Sequence, residues 1–127
     1  MYEDRKEPMK DRGFGALIRS LRENRLKTDR RFSLRQFAGM IGVSPTYLCK
    51  IERGEFPPPS EERIVAIANA LGESPDRLLA LAGKVPSDLS RIILRRPEII
   101  ADFLRRADKV GEKGLKRIIR KIEDGSW

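Results

Sequence analysis

Ser33-Leu-Arg-Gln-Phe-Ala-Gly-Met-Ile-Gly-Val-Ser-Pro-Thr-Tyr-Leu-Cys-Lys-Ile-Glu-Arg-Gly54 reads as two short helices joined by a tight turn. Ser33 can accept the free amides that open a first helix, whose inward residues are Phe37, Ala38 and Ile41. Gly42 ends that helix, because glycine enters the left-handed region cheaply and lets the chain reverse within a few residues. Ser44 then caps a second helix with Pro45 at its first position, where a missing N–H costs nothing. Burial of Leu48 and Ile51 leaves Pro45, Thr46, Cys49, Lys50 and Arg53 outward. This is a stripe of small, polar and basic groups on a helix too short to be stable alone. It is built to be presented to something.

Ser33, Phe37-Ala38, Ile41-Gly42-Val43-Ser44 and Leu48-x-x-Ile51-Glu52-x-Gly54 together resemble the DNA-binding domains of the lambda-repressor and Cro type, the XRE family. The resemblance runs from about Phe14 to Gly83. It implies an all-α fold, a five-helix lambda-repressor-like DNA-binding domain, and a helix-turn-helix transcriptional regulator, most often a repressor, that binds a two-fold site as a homodimer. It also implies that Arg22, on the first helix of the domain, pairs with Glu52, a role that suits the rigid fork of a guanidinium. Two features depart from the family. The connection Leu26-Lys-Thr-Asp-Arg-Arg-Phe32 is several residues longer than usual, which loosens the register of Arg22. Leu34 stands where the family often has a glutamine that touches DNA, so one expected contact is missing.

Upstream, Phe14, Leu17, Ile18, Leu21 and Leu26 recur at helical spacing and predict a helix from Phe14 to about Arg25, with Arg19, Arg22, Glu23 and Arg25 on its outer face. Residues 1–12 alternate in charge, contain Pro8 and lack apolar periodicity. They are expected to be a flexible arm, either a plain disordered terminus or a segment that enters a neighbouring groove of DNA.

Downstream, Glu55-Phe56-Pro57-Pro58-Pro59 is a rigid non-helical connector. Ser60 caps a helix that buries Ile64, Val65, Ile67, Ala68 and Leu71 and stops at Gly72. Ser74-Pro75 opens the next, with Leu78, Leu79 and Leu81, before Gly83. Residues 13–83 thus form the DNA-binding domain, and 84–127 a helical extension. The extension carries three apolar stripes: Leu89, Ile92 and Ile93; then, past Pro97, Ile99, Ile100, Phe103, Leu104 and Ala107; then, past Gly111 and Gly114, Leu115, Ile118, Ile119 and Ile122. Helices this short must pack on the first domain or on another chain. The expectation is a dimer interface that uses Ile99, Phe103, Leu115, Ile118, Ile119 and Ile122, with packing onto the chain's own first domain as the alternative.

With 127 residues, the chain has room for one ordinary domain and an extension. The composition is 36% charged and 39% hydrophobic, and no apolar run approaches membrane-spanning length. No signal peptide, membrane span or cofactor is expected. One cysteine rules out an intrachain disulfide, and with no histidine beside it no zinc site is credible, so the expected location is reducing and cytoplasmic. The missing histidine also removes the commonest general base, and an enzyme is not expected.

Net charge is +8, distributed as +4 over residues 1–32, −1 over 33–83 and +5 over 84–127. The presented unit is close to neutral and both flanks are basic. Sequence-independent attraction to phosphate is therefore expected from the flanks, unless the basic tail is simply solvated surface.

Base readout is expected from Pro45, Thr46 and Lys50. Lys50 can donate to guanine O6 and N7, Thr46 can hydrogen-bond or touch a thymine methyl, and Pro45 offers apolar contact. Phosphate contacts are expected from Ser44, Tyr47, Arg35, Arg53 and Arg31, with Tyr47 packing partly into the core and Arg30 and Arg31 merely solvating a loop as the alternatives. Cys49 is either a passive small residue or an oxidisable thiol beside the DNA. The rival function is an antitoxin or adaptor that binds DNA and holds a protein partner on its extension.

Overall fold

Four serines set helix starts in the first part of the chain. Ser33, Ser44, Ser60 and Ser74 each accept, through Oγ, the amide of the residue three positions on, at 3.1–3.4 Å. These caps open α2 (Leu34–Ile41), α3 (Pro45–Glu52), α4 (Glu61–Leu71) and α5 (Pro75–Leu81). They follow α1 (Glu3–Leu26) and a single 3-10 turn at Arg30–Phe32. The computed structural model describes residues 3–126, with side chains from Gly13 onward, and the chain divides into two compact units, 1–86 and 87–127. Among the described residues the fold is all-helical.

The core of the first unit draws on every one of its helices: Phe14 and Ile18 of α1, Phe37, Ala38 and Ile41 of α2, Leu48 and Ile51 of α3, Ile64, Ile67, Ala68 and Leu71 of α4, Leu78 and Leu79 of α5. Two arginines tie helix ends together. Arg63 of α4 donates to the Ile41 carbonyl at the end of α2, and Arg25 of α1 donates to the Leu71 carbonyl at the end of α4, at 3.1 and 2.7 Å. Each satisfies a carbonyl with no partner inside its own helix.

Three expectations need correction. The first helix begins at Glu3 and not at Phe14. Its early residues are mostly Glu, Asp, Lys and Arg, several of them good helix formers without an apolar stripe, so periodicity gave no sign of them. The arm expected over 1–12 therefore has helical backbone from Glu3, while Met1, Tyr2 and the side chains up to Arg12 lie outside the described residues.

The long connection after α1 is not a bare loop. Its 3-10 turn buries Phe32 at 4% exposure against the ring of Phe37, centroids 5.7 Å apart, with the Arg25 guanidinium 5.4 Å from the Phe32 centroid.

The second unit holds α6 (Ser87–Arg95), α7 (Pro97–Ala107) and α8 (Glu112–Asp124). Gly114 does not break the chain there: α8 starts at Glu112 with Gly114 inside it, where a Cβ would collide with the Val110 side chain. None of the described side chains of α6, α7 or α8 is buried.

Candidate nucleic-acid interface

The site begins with how closely α1 approaches α3. Gly15 is buried, and a Cβ there would run into the Ile51 carbonyl oxygen and come within 2.9 Å of that of Glu52. Glycine thus lets the backbones of α1 and α3 touch. Two turns further along α1, Arg22 meets Glu52. Nε and Nη2 donate to the two carboxylate oxygens at 2.7 and 2.9 Å, and Nη1 donates to the Phe32 carbonyl at 3.1 Å. The arginine is 5% and the glutamate 6% exposed, so this bidentate pair is removed from water with both oxygens occupied.

That geometry orients α3. Leu48, Ile51 and Glu52 face inward, while Ser44, Pro45, Thr46 and Arg53 are exposed and Tyr47, Cys49 and Lys50 half-buried. Gly42 sits at φ +79°, and the turn it makes carries the chain from α2 into α3 within Val43 and Ser44. Two helices joined by this turn, with an outward face of Pro45, Thr46 and Lys50, form a helix-turn-helix. Residues 14–81 match the family model described as a helix-turn-helix domain. The chain belongs to this helix-turn-helix family. No curated protein and no solved structure shows a significant match to it. Helix-turn-helix domains bind DNA, and α3 holds the position of their recognition helix.

The remaining residues of interest are distributed around this helix-turn-helix. Arg35 lies exposed near the start of α2. Arg31 is exposed but engaged: its guanidinium donates to both Asp29 oxygens, at 2.8–3.2 Å, and its amide donates to Asp29 Oδ1 at 3.0 Å. Hydrogen bonds to the Arg31 side chain, then to its amide, lower the Asp29 pKa below its ordinary value, and the same contact raises that of Arg31. Tyr47 is stacked at a tilt on Phe56, centroids 5.7 Å apart. Leu34, in place of the family's glutamine, packs against the core. Cys49 is a free thiol.

Sequence reading missed the turn that closes α3. Lys50 Nζ lies 5.6 Å from the Phe56 ring centroid and 3.6 Å from Glu55 Oε1, and Arg53 Nη1 is 3.6 Å from Glu55 Oε2. In the sequence Glu55 and Phe56 stand only as the start of a proline-rich connector. The Gly54 that lets the chain fold back was the available signal.

In the second unit, Ile99, Phe103, Ile119 and Ile122 are 45–63% exposed, and Leu115 and Ile118 half-buried. The last five of these six line a groove of about 690 Å³ between α7 and α8, together with Leu104 and Ala107. Among the described residues, no cluster of three metal-ligating side chains occurs, and no helix is long and apolar enough to cross a membrane.

Proposed function

We propose that the chain is a sequence-specific double-stranded DNA-binding regulator of transcription, acting in the cytoplasm as a homodimer on a two-fold operator and repressing by occupying it. One observation carries the reading: Glu52, the only acidic residue of α3, is turned inward onto Arg22, which keeps the helix's own carboxylate off its outer face. Pro45, Thr46 and Lys50 then read base edges, and Ser44, Tyr47, Arg35, Arg53 and Arg31 fix the register on phosphates. Ser44 can serve both ends, since its Oγ accepts the Tyr47 amide and keeps its hydroxyl proton for a phosphate oxygen.

Self-association is supported by the large apolar side chains exposed on α6, α7 and α8. The groove between α7 and α8 also favours a second reading, in which it takes an apolar segment of a different protein and the chain is an antitoxin or adaptor.

Recovery of bound fragments from a pool of random duplex DNA tests the main reading. The expected product is an inverted repeat whose half-sites are about one helical turn, 34–36 Å, apart. No enrichment, or a motif without two-fold symmetry, would overturn it. Sedimentation of the purified chain by itself separates the readings, because the homodimer forms without any other protein and the adaptor stays monomeric.

A further inference from the structure

The turn that ends α3 folds back onto the residues α3 presents. Gly54 adopts φ +77°, which lets the amides of Glu55 and Phe56 both donate to the Lys50 carbonyl, at 2.9 and 3.3 Å. Backbone bonds therefore fix where both side chains start, and Glu55 lies with one carboxylate oxygen 3.6 Å from Lys50 and the other 3.6 Å from Arg53. The three side chains are 42–60% exposed, so whatever approaches α3 from solvent meets all of them together. An ion pair this exposed adds little to stability. The fold does not need a carboxylate here, and a surface facing DNA is penalised for having one.

We propose that Glu55 is an internal competitor for phosphate, holding Lys50 and Arg53 so that the chain grips DNA of arbitrary sequence only weakly. The proposal rests on the DNA-binding reading given above. Sequence-independent affinity comes from cations that replace counterions condensed on the phosphates, and a cation already paired within the protein replaces fewer of them. Residues 33–83 carry a net charge of −1, so Lys50 and Arg53 are two of only five cations in that whole stretch, and engaging them removes much of its attraction. Such damping is useful, because the preferred site competes with a vast excess of other sequence.

The test measures binding of the full chain to a fluorescent random-sequence duplex across a salt series. Glu55→Gln should bind about tenfold tighter at low salt, and its plot of log affinity against log salt should be steeper by about 1, the two proteins converging at high salt. In a Lys50→Met/Arg53→Met background, most of that gain should vanish. Unchanged affinity and slope in Glu55→Gln would overturn the proposal, and so would an equal gain in the doubly substituted background, which would mark a general charge effect. If the unsubstituted chain binds no duplex at any salt, the DNA-binding reading falls and this inference falls with it; if it binds and Glu55→Gln behaves like it, only this inference falls.

Discussion

At the scale of single residues, α3 separates two kinds of charge. Lys50 faces outward, restrained by Phe56 and Glu55, and Glu52 faces inward, held by Arg22. On the preferred site a base-reading lysine discriminates, whereas on other sequence the same lysine only attracts phosphate. Lys50→Ala should therefore cost about 1–3 kcal/mol on the selected site and flatten preference at one base pair. An equal loss on selected and random duplex in a titration would make Lys50 a phosphate contact. The inward pair behaves differently. Removing one partner strands the other charge where water is excluded, so Glu52→Gln should lower unfolding free energy by about 3–5 kcal/mol in chemical denaturation. Arg22→Met combined with Glu52→Leu should recover much of that loss, because two apolar groups leave no charge behind. A Glu52→Gln chain as stable as the parent would show that the pair contributes nothing.

At the scale of elements, the helices announced by serine caps and following glycines were legible, because capping and chain reversal are local chemistry. α2 to α5 begin where Ser33, Ser44, Ser60 and Ser74 placed them. What was not legible depends on partners distant in sequence. Gly15 looks like an unfavourable glycine within a helix until α3 is packed on it. Phe32 looks like part of a polar loop until Phe37 and Arg25 enclose it. Glu55 and Phe56 look like a linker until Gly54 turns them back on Lys50. Phe32→Ala should thus cost about 3–5 kcal/mol, as expected for a large aromatic removed from a core, and a change within experimental error would show the turn to be dispensable.

The same turn has a pH dependence of known sign. Arg31 holds the Asp29 carboxyl below its ordinary pKa of 3.8, so what that contact adds to the turn is fully present above about pH 4 and is lost as pH falls through the lower folded value. Carboxyl-carbon NMR should place the Asp29 midpoint below 3.8, and a midpoint at or above it would remove the Asp29–Arg31 contact in solution.

At the scale of the whole molecule, the two units differ in what they bury. Among the described residues, the hydrophobic core lies between Phe14 and Leu79, whereas α6, α7 and α8 are amphipathic and bury none of their described side chains. A unit with its own core can stand alone. A set of helices with Ile99, Phe103, Ile119 and Ile122 exposed gains by covering them, and under the proposed two-fold arrangement the nearest available cover is another copy of the same helices. A chain ending at Pro86 should then unfold cooperatively at a temperature close to that of the full chain, yet sediment as a monomer. It should lose most of its affinity for a two-fold site, because each half-site is then bound without the effective concentration that a joined partner supplies. Ile119→Asp in the full chain should do the same while keeping the length, since a charge would have to be buried for the shared surface to form. A truncated chain that still sediments as a dimer would move the interface into residues 1–86. A full chain that is monomeric at micromolar concentration and binds a single half-site would leave the apolar faces of α7 and α8 to a different protein.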